Sequence, residues 1–186
     1  MERKEGGYMA KSMVKPNALV VESGNLIERK EVLKWLKAQQ KKYHLTLYIG
    51  AGEQINQAFK AAGYKIKFCP LGRVCDTLEE RQLCEQIARE NQAIIQDQLD
   101  RNGISARVMI PFDSADDVLT PLNGDLIIFF RYLGGYDKIF RLTTAGRVKD
   151  KKRLRKRAAW AFAPIAGKIK KNRTDMKLSK IEVIGF

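Results

Sequence analysis

The sequence predicts an α/β protein, a sandwich with a mainly parallel central sheet. Three observations lead to this prediction. Short apolar runs that are typical of buried strands alternate along the chain with longer segments of helical composition. Turns rich in glycine and asparagine separate many of these segments. The chain has 186 residues, of which 45% are hydrophobic, so it is long enough to bury a core of this kind.

The elements follow from periodicity, turn residues and length. In chain order, the pattern predicts a strand at 18–21, a helix at 28–41, a strand at 45–49, a helix at 53–62, a strand at 64–68, a loop at 70–76, a helix from 77 to about 101, and strands at 104–110, 136–142 and 181–184. Residues 126–130 are too apolar for periodicity to decide between helix and strand.

The predicted helices carry start and stop signals. Gly63 is placed to end the helix at 53–62, and Asn102-Gly103 to end the long one. Either Asp76 or Thr77 can cap the start of the long helix. Its buried positions are expected to include Leu78, Ile87, Ile94 and Leu99.

Charge divides the chain. The formal net charge of +14 is split into +3 over residues 1–146 and +11 over residues 147–186. We expect a flexible leader at 1–16, an α/β domain at 17–150, and a basic C-terminal segment at 151–186 that packs on the same domain as a helix and a final strand. The basic cluster at 147–180 is either a site for nucleic acid or another polyanion, or a solvated helix face.

Composition excludes several classes of protein. No run approaches the roughly 18 apolar residues of a membrane helix, and the charged N-terminus lacks the apolar core of a signal peptide. The three cysteines contain no C-x-x-C spacing, and His44 is the only histidine. We therefore expect a cytoplasmic protein without a membrane partner, a structural zinc site or a histidine-based catalytic triad.

The segment from Leu45 to Gly63 has the pattern strand, glycine turn, helix. Gly50, Ala51 and Gly52 form the turn, which leaves backbone N–H groups at a helix N-terminus, where an anion is favoured. The alternative is an ordinary strand-to-helix connection whose glycines serve only the backbone.

Several such segments together carry a family resemblance. They are Leu19-Val20-Val21, Gly50-Ala51-Gly52-Glu53-Gln54-Ile55-Asn56, Gly72-Arg73-Val74-Cys75-Asp76, Asn123-Gly124-Asp125, and residues 138–148. Their order and separations, from about residue 17 to residue 150, resemble the amino-acid kinase superfamily and most closely its acetylglutamate kinase branch. The resemblance implies a three-layer αβα sandwich. It also implies transfer of the γ-phosphoryl group of ATP, bound with magnesium, to a small carboxylate or other oxyanion acceptor. It also implies a small anionic metabolite as partner and a possible homodimer.

The same resemblance assigns roles to individual residues. It assigns none of them as a metal ligand. The catalytic residues would be Asp125 and Lys168. The remaining assignments are the acceptor-binding residues Gly50, Ala51, Gly52, Arg73 and Asn123 and the nucleotide-binding residues Thr143, Thr144 and Gly146.

Two departures from the family pattern leave alternatives open. The family's first strand supplies a lysine, whereas this chain has Val21-Glu22 there, and a carboxylate would repel an incoming phosphate. The nucleotide half is also short, with 38 residues after Val148. The alternatives to a divergent phosphotransferase are a non-catalytic protein that binds a metabolite for regulation and a basic protein associated with nucleic acid.

Overall fold

A computed structural model describes residues 14–23, 25–69, 72–114, 135–144, 149, 152 and 181–186. Its elements in chain order are β1 (Asn17–Ser23), α1 (Lys30–Gln39), β2 (His44–Gly50), α2 (Gly52–Ala61), β3 (Lys67–Cys69), β4 (Gly72–Val74), α3 (Leu78–Arg101), β5 (Ala106–Met109), a 3-10 turn (Pro111–Ser114), β6 (Lys138–Thr143) and β7 (Ile181–Gly185).

Five strands form one parallel sheet in the order β5-β2-β1-β6-β7. The register places Val20 of β1 between Leu47 of β2 and Phe140 of β6. β3 and β4 form a separate antiparallel hairpin. The predicted fold class, an αβα sandwich with a mainly parallel central sheet, is therefore confirmed.

The sheet is buried on both faces, as parallel sheets are. On one face, strand residues such as Val20 and Leu47 pack in a single hydrophobic cluster with residues of α1, α2 and α3, among them Val32, Phe59 and Leu99. On the other face, alternate residues of the central strands are buried as well, including Leu19, Val21, Tyr48 and Ile139.

The long helix α3 buries a different face from the one that its largest apolar residues predict. Leu99 is buried as expected, but Leu78 is 57% exposed and Ile94 is 65% exposed. The buried positions follow the helical period, at Glu80, Cys84, Ala88, Asn91, Ile95 and Leu99. The prediction for Leu78 and Ile94 is wrong because the face of α3 that packs on the core passes through these positions, several of which are small or polar, and Leu78 and Ile94 lie off it.

Two other expectations concern short segments. The predicted loop at 70–76 is wrong in part, because Gly72–Val74 forms β4 and pairs with Lys67–Cys69. The stop signals are confirmed, since Gly63 and Gly103 both adopt the positive φ that ends a helix.

Several predictions fall largely on residues that the structure does not describe. These are the helix or strand at 126–130, most of the leader at 1–16, and most of the C-terminal segment at 151–186. The division into these segments stays a prediction. Within the described ranges, no helix is long and apolar enough to span a bilayer.

Thr77 is the residue that caps α3, because its hydroxyl accepts a hydrogen bond from the backbone N–H of Glu80 at 3.2 Å. Replacing Thr77 by alanine leaves that N–H without its partner, and we expect a loss of about 1 kcal/mol in the free energy of unfolding. Urea denaturation measures this change. The Thr77→Ser variant keeps the acceptor and should stay close to the native chain. Equal stability of the alanine variant would contradict this role.

Candidate functional site

The carboxyl ends of the parallel strands define one edge of the sheet. The strand order reverses at β1, since β2 and β5 lie on one side of it and β6 and β7 on the other. Ligands of open α/β sheets bind outside the carboxyl ends of the strands at such a reversal. The candidate site is therefore the edge where β1 ends at Ser23, β2 at Gly50 and β6 at Thr143.

The glycine turn lies at this edge, between β2 and α2. Ala51 is the N-cap residue of α2 and provides no side-chain cap. Neither Gly50 nor Gly52 has a positive φ; among the described glycines that conformation occurs at Gly63, Gly72 and Gly103. A Cβ atom added at either position would meet no described atom within 4 Å. The backbone therefore does not require glycine at these two positions, and no described residue occupies the space in front of them.

Polar side chains join the end of β1 to α2 and α3. The Asn25 amide donates to the Glu53 carboxylate, and the Gln54 amide lies 3.4 Å from both Asn25 Oδ1 and Asn91 Oδ1. Asn91, on the buried stripe of α3, is only 9% exposed. Within the described part of the chain, the buried atoms Gln54 Oε1 and Asn91 Nδ2 have no hydrogen-bond partner. Gln54 and Asn91 thus contribute one available acceptor and one available donor to this edge.

Glu22 is the buried acid of the site. It pairs in register with Ile49, one residue before the glycine turn, and it is 3% exposed. Neither carboxyl oxygen has a hydrogen-bond partner among the residues that the structure describes. Burial raises the pKa of Glu22 from 4.5 to about 8, against the opposing effect of the Arg141 guanidinium. An unpartnered buried carboxyl group is costly, and a cationic or hydrogen-bond donating ligand would supply the missing partner.

Arg73 connects the hairpin to the glycine turn. Its Nη2 atom donates to the Gly52 carbonyl at 3.2 Å and to Asn56 Oδ1 at 2.6 Å. The guanidinium group lies 5.2 Å from the Phe59 ring centroid and 4.9 Å from that of Phe68. Arg73 therefore holds the first turn of α2 in place.

The structure brings together some of the predicted site residues. Arg73 contacts the Gly50–Gly52 turn, whereas Thr143 is buried and Thr144 exposed at the end of β6, on the other side of β1. The remaining predicted site residues lie outside the described residues; they are Asn123, Asp125, Gly146 and Lys168. The roles assigned to all of these residues, including acceptor binding by Arg73, stay predictions.

Sequence reasoning missed Asn25, Gln54 and Asn91. Placing the buried stripe of α3 correctly would have marked Asn91 as an amide among small and apolar residues. Asn25 lies in an exposed turn, and Gln54 lies at a partly exposed position of α2. Polar residues are ordinary at such positions, so the sequence around them does not indicate a site.

A groove of about 740 Å³ lies at the opposite edge, where β2 and β5 begin. Two of its lining side chains, Lys15 and Gln40, already have partners. The Gln40 amide donates to the Gly103 carbonyl at 3.0 Å and accepts from the Ser105 N–H at 2.8 Å, and Lys15 donates to the Gln40 carbonyl at 3.0 Å. Because these two side chains are satisfied and the described strands end at the other edge, we place the site at the carboxyl edge.

The fold and this edge define the chain as a mainly parallel α/β domain with a polar, partly unpartnered site where its strands end. No protein-family model matches the chain, and no curated protein matches it.

Solved structures do show a similar fold. One is the N-acetylglutamate synthase of Neisseria gonorrhoeae complexed with coenzyme A and L-arginine, at a TM-score of 0.52 and 12% identity, covering 91% of this chain and 56% of that one. Another is the same synthase with coenzyme A and N-acetylglutamate, at a TM-score of 0.47 and 12% identity, covering 91% and 54%. The chain thus spans little more than half the length of the synthase.

These findings correct the assignment drawn from the family resemblance. The structure that matches at a TM-score of 0.52 is of an N-acetylglutamate synthase with coenzyme A, not of an amino-acid kinase with ATP and magnesium. The interpretation as an ATP-dependent amino-acid kinase, with ATP and magnesium as cofactors, is therefore wrong. The physical reason is that a glycine turn before a helix favours anions in general and does not distinguish a phosphate from a carboxylate. Nucleic-acid binding through residues 147–180 and a homodimer have no support from these findings.

Proposed function

We propose that this chain is a metabolite-binding domain whose carboxyl edge takes an amino acid. The ligand's carboxylate would bind at the N-terminus of α2, beside Gly52. Its ammonium group, or a cationic side chain, would bind at Glu22.

The open space in front of Gly50 and Gly52 carries the proposal. Glycine costs conformational entropy on folding, and at these positions neither a positive φ nor a steric contact with the described residues explains it. A remaining reason for glycine is close approach of a ligand to the backbone. The N-terminus of α2 then offers backbone N–H groups and a favourable dipole to the ligand's carboxylate.

The charges of the site favour a ligand that carries both a positive and a negative group. Glu53, and Glu22 once it is ionised above its pKa of about 8, would repel a polyphosphate group, which disfavours a nucleotide-like ligand at this edge. Asn91 Nδ2 can donate a hydrogen bond and Gln54 Oε1 can accept one. Since the similar synthase was crystallised with L-arginine, amino acids come first in the test.

Calorimetric titration of the full chain at pH 8.5 tests the proposal, with L-arginine, L-glutamate and coenzyme A as separate ligands. We expect one of the amino acids to bind with one-to-one stoichiometry. At a concentration of 100 Kd it should stabilise the fold by about 2.7 kcal/mol in a thermal or urea measurement. Binding of coenzyme A alone, or of none of the three, would overturn the proposal.

Two glycine variants separate ligand binding from folding. Gly52→Ala places a methyl group in the proposed ligand space and should weaken binding about tenfold or more, without lowering stability. Gly135→Ala is the matched control, because that glycine also faces open space but lies before β6, at the opposite edge of the sheet. Equal affinity of the Gly52→Ala variant and the native chain would contradict the assigned position of the ligand.

A further inference from the structure

Two thiol groups are in contact outside the candidate site. Cys75 follows β4 directly and is partly exposed, and Cys84 lies on the buried stripe of α3. Their Sγ atoms are 3.6 Å apart and share a hydrogen bond. A disulfide places its sulfur atoms about 2.05 Å apart, so these two atoms, already in contact, would have to approach each other by roughly 1.5 Å.

The surroundings of Cys75 favour its thiolate. The hydrogen bond with Cys84 lowers the pKa of Cys75 from 9.0 to about 7, and the guanidinium groups of Arg73 and Arg81 act in the same direction. Burial and the Glu80 carboxylate oppose them. The pKa of Cys84 is raised, chiefly by the same hydrogen bond. The pair is thus divided into an accessible, nucleophilic sulfur and a buried, protonated one.

We propose that Cys75 and Cys84 form a redox pair in which a peroxide converts the two thiols into an intramolecular disulfide. The Cys75 thiolate attacks one peroxide oxygen, so that an S–O bond forms, the O–O bond breaks and the leaving hydroxide takes up a proton as water. The Cys84 sulfur then attacks the sulfenic sulfur of Cys75. The S–S bond forms, and the hydroxyl group leaves with the Cys84 proton as a second water.

The pair has a structural link to the turn of α2. Cys75 is two residues from Arg73, which holds Gly52 and Asn56 by hydrogen bonds. A disulfide would fasten the end of β4 to α3. The proposal itself depends only on the contact of the two sulfur atoms and not on any ligand at the carboxyl edge.

The experiment uses the full chain, fully reduced and then treated with stoichiometric hydrogen peroxide near neutral pH. Free thiols should fall from three to one, the intact mass should fall by two hydrogen atoms, and peptide mapping should find the Cys75–Cys84 link. Dithiothreitol should restore all three thiols. A link that includes Cys69, a link between two chains, or an unchanged thiol count would overturn the proposal.

Single cysteine variants supply the controls. Cys69→Ser should form the disulfide as the native chain does. Cys84→Ser should stop at the sulfenic acid of Cys75, which dimedone labels, because the resolving thiol is absent. Iodoacetamide at pH 7 should alkylate Cys75 several-fold faster than Cys69 in the native chain. Equal alkylation rates, or no dimedone label in Cys84→Ser, would contradict the assignment of Cys75 as the attacking thiol.

Discussion

Replacing Glu22 by glutamine should stabilise the protein at pH 9, by on the order of 4 kcal/mol in the free energy of unfolding. Burial raises the pKa of this carboxyl group from 4.5 to about 8, so at pH 9 the native chain holds a charged, buried group with no hydrogen-bond partner among the described residues. Glutamine has nearly the same shape and no charge. Urea denaturation of both chains from pH 5 to pH 9 measures the difference.

The sign of the effect follows from proton binding. Between pH 4.5 and pH 8 the folded state holds the proton on Glu22 while the unfolded state has released it. The stability of the native chain therefore falls as the pH rises through this interval, by up to about 1.4 kcal/mol per pH unit, and the loss is complete above the folded pKa. The glutamine variant lacks this dependence, so the two curves should meet near pH 4.5 and separate toward pH 8.

Glu182→Gln is the matched control. Glu182 lies on β7 of the same sheet, is exposed, and pairs with Lys138 at 2.7 Å. Its replacement should change stability by less than about 1 kcal/mol at pH 5 and at pH 9. If the free energy of unfolding of the Glu22→Gln variant depended on pH as strongly as that of the native chain, Glu22 could not be the buried group that titrates in this interval.

Local sequence was sufficient to predict most of the described fold. Short apolar or alternating runs predicted β1, β2, β5, β6 and β7 to within a few residues, because each of these strands is buried on at least one face. The β3–β4 hairpin was only half predicted. Its second strand, Gly72–Val74, has three residues and depends on pairing with Lys67–Cys69, which no pattern within the strand reveals.

The residues of the candidate site differ in how far local sequence marks them. The glycine turn was predicted as a binding segment, and Glu22 was noted as a departure from the family pattern, because each stands next to a recognisable strand. The contact of Arg73 with the turn depends on how the hairpin lies against α2, and the position of Asn91 depends on which face of α3 is buried. Both depend on tertiary packing, which secondary-structure propensity alone does not determine.

The chemistry was the part that motifs could not identify. A strand, a glycine turn and a helix N-terminus together select for negative charge, and many unrelated functions use this arrangement. Glu22 was the residue whose charge disagreed with phosphate binding at the sequence level. Its burial beside the turn now supports a ligand with a cationic group, which is the feature that the Glu22→Gln measurements and the amino-acid titrations both examine.

Replacing Phe59 by alanine should cost about 3–5 kcal/mol in the free energy of unfolding. The Phe59 ring is fully buried in the core beneath α2, packs edge-to-face on Tyr64 at 5.5 Å and lies under the Arg73 guanidinium. Its removal leaves a cavity and deprives Arg73 of one of its two aromatic contacts. Urea denaturation measures the loss, which we expect to be among the largest for a single substitution in the described core.

Phe68→Ala separates burial from the contact with Arg73. The Phe68 ring lies 4.9 Å from the same guanidinium group, at least as near as Phe59, but its side chain is 64% exposed. If burial in the core determines the effect, the Phe68 variant should lose less than about 1 kcal/mol, since an exposed cation–π contact contributes about 0.5–1 kcal/mol. Equal losses in the two variants would show instead that the aromatic clamp on Arg73 stabilises α2, and that the core around Phe59 adapts to the cavity.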